Sequence, residues 1–188
     1  MYQDGICHIQ NQLYSKSVCC EDINYKEASD DEKTVLFELY CKLVNYFGPS
    51  VGFELSVVCY PADLEEYRKI LAIPAQGDQF DVIRKEYSDM LVRQVSKSRY
   101  ERRICVTFTI EAENIKQARS RLSQIESDVI NHFRALSVDT VPMNGYERLA
   151  VFHKCLHLEE PRKFRFNWDS LNKTGLSSKD YIAPSSFY

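Results

Sequence analysis

Two histidines, His153 and His157, stand four residues apart in a segment with the periodicity of a helix. Side chains four positions apart lie on one helix face, which is the spacing of paired zinc-ligating histidines. The glutamate that follows the first histidine in the zinc-protease motif is missing, since Lys154 occupies that position. Cys155 projects from another side of the helix, and no nearby cluster supplies a third ligand. We therefore interpret both histidines as partly buried or surface residues, with metal binding as the alternative.

The cysteines are the second set of residues that could carry chemistry. The chain contains seven, an odd number, and no two of them have CxxC spacing. Cys19 and Cys20 are adjacent, but neighbours on a strand point to opposite faces and adjacent pairs bridge only with strain. Several other cysteines lie within apolar periodic segments, where a free thiol acts as a small hydrophobic group. The pattern predicts structural thiols in a reducing cytosolic compartment.

Acidic pairs are plentiful, yet their positions do not favour acid–base chemistry. They fall at helix starts or in a loop, where the helix dipole and solvent account for them: Asp30-Asp31, Glu65-Glu66 and Glu159-Glu160. The phosphate-binding pattern GxxxxGK(S/T) is absent among the six glycines, so hydrolysis of nucleotide by that route is not expected. The sequence therefore predicts no catalytic, cofactor-binding or metal-ligating residue.

Composition and charge are those of an ordinary folded protein. The 188 residues suffice for one core, and the formal net charge of −3 provides no overall field attracting nucleic acid or anionic lipid. The basic runs at 99–103 and 162–165 are interleaved with other residue types and are interpreted as solvated edges. A run of about 18 or more apolar residues and a basic-then-apolar leader are both missing, so neither a membrane span nor an export signal is predicted.

The elements that would position these residues are clearest between 102 and 136. Residues 103–111 alternate as a strand with one apolar and one mild face. The apolar face carries Ile104, Val106, Phe108 and Ile110, and the mild face carries Cys105, Thr107 and Thr109. Asn114 then caps a predicted helix over 114–136. The buried stripe of this helix is Ile115, Ala118, Leu122, Ile125, Val129 and Phe133.

The N-terminal half adds strands and one capped helix. Residues 5–9 and 13–23 are predicted strands joined by a turn at Asn11-Gln12. A capping box at 29–32 opens a helix that Gly48-Pro49 ends. Its predicted apolar stripe is Val35, Leu36, Leu39, Leu43 and Phe47. Residues 51–59 alternate as a strand that Pro61 closes.

A helical excursion of roughly forty residues separates that strand from the one at 103–111. It contains a short helix at 63–71 and a longer one at 78–95. One side of the longer helix carries Phe80, Ile83, Tyr87, Met90 and Leu91. Such a stripe is typical of a helix face that packs on other elements.

The C-terminal part begins with a brief strand at 138–141 before Pro142. Asn144-Gly145 opens a helix that carries Leu149, Phe152 and Leu156. Alternation of Phe164, Phe166 and Trp168 with polar residues predicts a last strand or an extended arm. The polar tail at 172–188 is predicted to be a connector.

Without the excursion, the order from 13 to 141 is β-α-β-β-α-β, which predicts an α+β fold with a ferredoxin-like antiparallel sheet and a helical insertion between its second and third core strands. Both long helices would cover one sheet face. The other face is too polar for a second buried layer unless the inserted helices cross it. RNA-binding domains of this kind stack bases on exposed strand aromatics, whereas this face would show Cys105, Thr107 and Thr109.

Five segments carry a family resemblance through their order and spacing. They are Asp4-Gly5-Ile6-Cys7, Glu21-Asp22-Ile23-Asn24-Tyr25, Phe80-Asp81 with Arg84-Lys85-Glu86-Tyr87, Phe164-Arg165-Phe166-Asn167-Trp168, and Ile182-Ala183-Pro184-Ser185-Ser186-Phe187. The chain resembles the N-terminal region of the large ATPases of type IV secretion and conjugative transfer systems. This is the VirB-four-like group with its TraE, TrbE and CagE types, above all the branch on conjugative elements of Gram-positive bacteria. None of the segments is a catalytic motif.

The resemblance implies a non-catalytic domain at 1–171, with a helical insertion at about 62–98. Residues 172–188 would connect it to a RecA-like C-terminal ATPase domain, and further residues would precede Tyr2 in a longer parent polypeptide. ATP and magnesium would bind in that ATPase domain, so no cofactor and no enzyme activity are expected in residues 1–188. The implied location is cytoplasmic, peripherally associated with the membrane through partners.

The resemblance also implies the partners. They are inner-membrane components of the secretion channel, the parent's own ATPase domain and neighbouring copies of the chain, without direct binding of nucleic acid. Two alternatives stay open beside this docking role. One is a stand-alone metal protein or enzyme that uses His153 and His157, and the other is a domain that binds single-stranded nucleic acid in support of DNA transfer.

Overall fold

The computed structural model describes residues 1–22, 25, 27–61, 64–95, 100–157 and 164–184. The predictions for the acidic pair Glu159-Glu160, for residues 162 and 163 of the basic run 162–165 and for Arg99 of the run 99–103 therefore lie outside the described residues. The chain divides into two compact units, one of Met1–Val58 with Arg103–Tyr188 and the other of Cys59–Arg102. The predicted division into a domain at 1–171 and a connector stays a prediction.

Five strands form one sheet in the described part of the chain. They are β1 (Cys7–Gln10), β2 (Leu13–Cys20), β3 (Val51–Pro61), β4 (Tyr100–Glu111) and β5 (Thr140–Pro142). The order is β1-β2-β4-β3, and β5 also pairs with β2. The pairs that β2 makes with β1, β4 and β5 are all antiparallel. The predicted α+β class with an antiparallel sheet is confirmed, while the finer ferredoxin-like topology stays a prediction.

Six helices accompany the sheet in the described residues. They are α1 (Asp30–Tyr46), α2 (Leu64–Leu71), α3 (Asp81–Val95), α4 (Ile115–Ala135), α5 (Gly145–Leu156) and α6 (Trp168–Thr174). The predicted caps at Ser29, Asn114 and Asn144 are confirmed, since each side chain accepts a hydrogen bond from a backbone N–H in the first turn. Within the described residues, none of these helices has the length and apolar character that crossing a membrane requires.

The first sheet face packs against α1 and α4 around the main core. The alternation predicted for β4 is confirmed here, because Val106, Phe108 and Ile110 are buried in this core. The stripe predicted for α4 is also confirmed: five of its members are buried, and Ile115 is partly buried against them. The helix packs on the strand because the apolar stripe of the one and the apolar face of the other are buried against each other.

On α1 the predicted stripe is correct except at its first residue. Leu43 is buried, and Leu36, Leu39 and Phe47 pack partly buried against the core. Val35 instead is exposed, so its assignment to the buried stripe was wrong. Residue 35 lies about 80° away from Leu43 around the helix, at the margin of the face that contacts the core.

The second sheet face is polar but is nonetheless covered near β2. Ser15 and Ser17 are buried there, and Ser17 Oγ lies 2.8 Å from Thr107 Oγ1 across the β2–β4 pair. The cover comes from α5, whose Arg148 hydrogen-bonds Ser15. Because hydrogen bonds from Arg148 hold this layer beside the buried Leu149, the hydrophobic pattern alone could reveal only part of it.

One ion pair spans the sheet and α4 inside the first layer. Lys16 Nζ lies 2.7 Å from Glu126 Oε2, and the two side chains are only 10% and 13% exposed. Oε1 of Glu126 is buried and accepts no hydrogen bond from the described residues. Replacing such a pair by apolar residues is often neutral or stabilising, whereas removing one partner leaves a buried charge.

We predict that Lys16→Met lowers the free energy of unfolding by about 3 kcal/mol, because it leaves the Glu126 carboxylate without its partner. The double variant Lys16→Met with Glu126→Leu should return to within about 1 kcal/mol of the parent or exceed it. Urea denaturation measures both values. The control is Lys33→Met, which breaks the exposed pair with Asp30 and should cost less than about 1 kcal/mol. Equal costs for Lys16→Met and Lys33→Met would contradict this account.

Candidate functional site

The two histidines of α5 are stacked on each other. Their ring centroids lie 4.1 Å apart at an interplanar angle of 19°. His153 is buried, and burial together with neighbouring His157 lowers its pKa below the ordinary value. Cys155 is half-buried, and burial raises its pKa. Within the described residues, no group of three or more histidine, cysteine, aspartate or glutamate side chains could hold a metal ion together.

The buried face of α5 centres on Arg148, which sequence reasoning did not single out. Its guanidinium donates to the carbonyl oxygens of Gly5 at 2.6 Å and Ser15 at 3.0 Å, and to Ser15 Oγ at 3.1 Å. Burial lowers its pKa, although a guanidinium keeps its charge in proteins. Of the three apolar residues predicted to mark this helix, Leu149 is buried, whereas Phe152 and Leu156 are exposed. Arg148 is therefore a clamp between α5 and the sheet.

A thiol pair also lies on the second sheet face. Cys19 on β2 stands directly opposite Cys105 on β4. The Cys105 thiol hydrogen-bonds Cys19, which lowers the pKa of Cys19 to about 7 despite the opposing effect of burial; nearby Arg103 lowers it further. The Cys105 sulfur in turn lies 3.9 Å from Met143 Sδ. The placement of Cys19 opposite Cys105 depends on strand register and was missed from the sequence.

Cys20 behaves differently from its neighbour because it faces the helical layer. It is buried in the main core, and burial raises its pKa to about 12. The prediction that adjacent cysteines point to opposite faces is thereby confirmed. The further prediction that all these thiols are structural fits Cys20, whereas Cys19 has the lowered pKa that favours thiolate reactivity.

The C-terminal arm packs on α5 through a chain of rings. Phe164 lies 5.1 Å from His153, and Phe166 lies 4.8 Å from Trp168 and 5.1 Å from Tyr181, measured between ring centroids. Of the last strand or extended arm predicted from the alternation at 164–168, no strand forms at 164–167; Asn167 is extended, and α6 begins at Trp168. Position 145, beneath the arm, requires glycine. A Cβ there would lie 2.7 Å from Cζ2 of Trp168 and would overlap the carbonyl oxygen of Tyr2.

In the unit Cys59–Arg102, α2 and α3 pack on each other. Of the stripe predicted on α3, Leu91 is half-buried, but Phe80, Ile83, Tyr87 and Met90 are 50%, 60%, 49% and 40% exposed. Residues 83, 87 and 90 lie on one face of the helix by their spacing, and Phe80 immediately precedes the helix. We name these four residues the α3 face. Large apolar side chains grouped in this way on a surface mark a site of interaction.

Polar contacts hold the start of α3 together. Arg84 forms a bidentate pair with Asp78, with N–O distances of 2.6 and 2.8 Å, and a further pair with Asp81. The Asp81 carboxylate also accepts from the backbone N–H groups of Gln76 and Gly77. An open groove of about 480 Å³ between α2 and α3 is lined in part by these residues. Two of its charged groups, Asp81 and Arg84, are thus already engaged in holding the local structure.

The acidic residues within the described chain occupy the places expected of them. Asp30 and Asp31 lie in the first turn of α1, as predicted, where the helix dipole favours negative charge. Glu65 lies in the first turn of α2 and pairs with Arg68. The most distinctive functional feature of the described residues is therefore a surface, the α3 face, and not a cluster of reactive groups.

No family model, curated protein or solved structure matches this chain.

We predict that the rate of alkylation of Cys19 by iodoacetamide rises with pH through a midpoint near pH 7, because the thiolate is the reacting form. Cys105→Ala removes the hydrogen-bond donor and should shift the midpoint upward, toward the ordinary thiol value of about 8.5. Fragment-ion mass spectrometry separates Cys19 from Cys20, which serves as the internal control and should stay unmodified below about pH 9. An unchanged midpoint in Cys105→Ala would contradict the assigned donor.

We predict that Gly145→Ala displaces the arm from α5, because the added methyl group overlaps Tyr2 and Trp168. The expected cost is about 2 kcal/mol, in the range of overpacked sites. Trp168 is the single tryptophan of the chain, so a red shift of tryptophan emission reports its exposure directly. The matched control is Gly48→Ala, where a Cβ would meet nothing within 4 Å. Emission identical in both variants would show that the arm does not depend on Gly145.

Proposed function

We propose that this chain is a non-catalytic docking domain of a type IV secretion or conjugative transfer ATPase. It holds the motor against inner-membrane components of the channel, on the cytoplasmic side of the membrane. ATP and magnesium then belong to the C-terminal ATPase domain of the parent polypeptide. The resemblance of five ordered segments motivates the family, and the exposed α3 face is the one structural observation that supports docking.

The strand order supports the finer fold proposal, a ferredoxin-like sheet. Leaving out β1, the pairings run β5-β2-β4-β3. In sequence order these are core strands four, one, three and two. A β-α-β-β-α-β unit places its first and third strands at the centre in this way, with both helices on one face. The contacts of α1 and α4 with the same core are in agreement with that arrangement.

The chemistry of the α3 face suits a helical or grooved protein partner. Apolar anchors at spacings of three and four residues are the pattern by which a helix is recognised in a hydrophobic groove. Phe80 and Tyr87 contribute large rings, and Met90 contributes an adaptable side chain, which are residue types enriched at interfaces. A partner that covers these side chains removes apolar area from water, which is the main source of association free energy.

We predict that the purified chain binds one inner-membrane channel component of its own conjugative system, reconstituted in nanodiscs, and hydrolyses no ATP. Ile83→Lys and Met90→Lys should each weaken binding by about tenfold or more, because they place charge in a desolvated interface. Calorimetry or biolayer interferometry measures the affinity.

The control for this experiment is Val141→Lys on β5, an exposed apolar residue outside the α3 face. It should leave the affinity unchanged. Absence of binding to every channel component would contradict the docking role. Equal losses of affinity in Val141→Lys and Ile83→Lys would contradict the assignment of the binding surface to the α3 face. Turnover of ATP by the isolated chain would contradict the non-catalytic reading.

A further inference from the structure

Three sulfur atoms meet on the second face of the sheet. Cys19 of β2 stands directly opposite Cys105 of β4, and the two thiols are hydrogen-bonded to each other. The Cys105 sulfur also lies 3.9 Å from Sδ of Met143, the residue that follows β5. Cys105 and Met143 are buried, whereas Cys19 is half-buried. Two thiols and one thioether are thus gathered at a single place in the fold.

This convergence follows from the strand order. Both β4 and β5 pair with the end of β2, on opposite sides of it, because residues 18–20 take partners from each. The backbone N–H of Met143 donates to the carbonyl oxygen of Ser17 at 3.1 Å, which holds this residue against β2. The side chain of Met143 therefore crosses β2 to reach Cys105, and Cys19 is the β2 residue opposite Cys105. All three sulfurs consequently lie over the same stretch of β2.

The types of these donor atoms select the class of metal ion. Thiolate and thioether sulfurs are soft ligands that favour Cu(I), whereas magnesium, calcium and manganese prefer oxygen ligands. Structural zinc sites are almost always four-coordinate and take cysteine and histidine ligands. Within the described residues, no group of three histidine, cysteine, aspartate or glutamate side chains supplies such a set. Two cysteines with one methionine therefore favour Cu(I) over Zn(II).

The spacing and the exposure of the sulfurs suit a three-coordinate ion. Three sulfurs at about 2.3 Å from a metal, an ordinary distance between a metal and a thiolate, stand about 4.0 Å apart in a trigonal plane. The 3.9 Å between Cys105 and Met143 is close to that separation, so loading requires little movement of these two side chains. Of the three residues, Cys19 is the one that solvent reaches, and it provides the route of entry.

The charges around the sulfurs also bear on a bound ion. Two thiolates with one monovalent cation leave one negative charge. Arg103 shares the strand face of Cys105 by alternation, and its positive charge acts on both thiols. Glu147 of α5 acts on Cys19 in the opposite sense, but its carboxylate accepts a hydrogen bond from the backbone N–H of Asn144 in the helix cap. Arg103 therefore offsets the charge of the loaded site.

We propose that Cys19, Cys105 and Met143 bind one Cu(I) ion, with both cysteines as thiolate ligands and the methionine as a thioether ligand. Each cysteine releases its proton to solvent when the ion binds, and the copper keeps its oxidation state. The inference rests on the register of β2 with β4 and on the residue after β5. It does not depend on the proposed docking function.

Competition with the chelator bicinchoninate tests this site. The intact chain, reduced and kept free of oxygen, should remove one Cu(I) per molecule from the coloured bicinchoninate complex. Cys19→Ser and Cys105→Ala should each weaken Cu(I) binding by about a hundredfold or more, because each removes a ligand and not merely a neighbour of one. Met143→Leu conserves volume and should weaken binding by about tenfold. Copper X-ray absorption should then count three sulfurs in the wild-type protein and two in Met143→Leu.

Two cysteine variants are matched controls, and circular dichroism checks that each variant is folded. Cys59→Ser removes an exposed thiol, and Cys20→Ala removes a buried thiol next to Cys19 on the other sheet face. Both should leave the affinity for Cu(I) unchanged. If Cys105→Ala fails to fold, Cys19→Ser and Met143→Leu keep the test decisive.

Three results would overturn the proposal. The first is a wild-type chain that takes no Cu(I) from bicinchoninate. The second is binding that Cys19→Ser and Met143→Leu leave intact, or that Cys59→Ser weakens equally. The third is displacement of the bound Cu(I) by an equal concentration of Zn(II), since the three sulfurs are assigned to the softer ion.

Discussion

The register between β2 and β4 is the constraint on which the rest of the first unit depends. Val18 stands opposite Val106, and Ser17 stands opposite Thr107, so each strand presents an apolar set to one side and a polar set to the other. A slip of one residue would move every side chain to the wrong face. The helices α1 and α4 pack on the apolar set, and α5 packs on the polar set. The thiol pair is a product of the same register, because only this alignment brings Cys19 opposite Cys105.

The polar face shows how a layer can be buried without an apolar stripe. Arg148 is desolvated, and a desolvated guanidinium is costly unless its donors are used. Three of its hydrogen bonds reach Gly5, which precedes β1, and Ser15 of β2. The cost of desolvating Arg148 is offset only when α5 lies correctly on the sheet. These hydrogen bonds therefore specify the position of α5 as well as stabilise the fold.

These two layers explain which features could be predicted from the sequence. The caps at Ser29 and Asn114 and the stripe of α4 follow local rules, because the residues that form them are close in the chain. The orientation of α5 was predicted only in part, since Leu149 is buried as expected but its buried neighbour is Arg148 and not Phe152. The exposure of the α3 face was missed for a different reason. Periodicity reveals that a helix has an apolar side, but not whether anything in the same chain covers it.

The exposed α3 face raises the question of what holds α3 in place. Packing against α2 and the polar network at its start hold α3. Within this network, the hydrogen bond from Arg84 lowers the pKa of Asp78. Hydrogen bonds from the backbone N–H of Gln76 and from Arg84 lower the pKa of Asp81. Lowered carboxyl pKa values contribute stability that is present at neutral pH and is lost as the pH falls through the folded-state values. Because the network lies at the helix start, it leaves residues 83, 87 and 90 uninvolved. The fold of α3 therefore does not rely on its exposed apolar face, which is the property that the proposed docking surface requires.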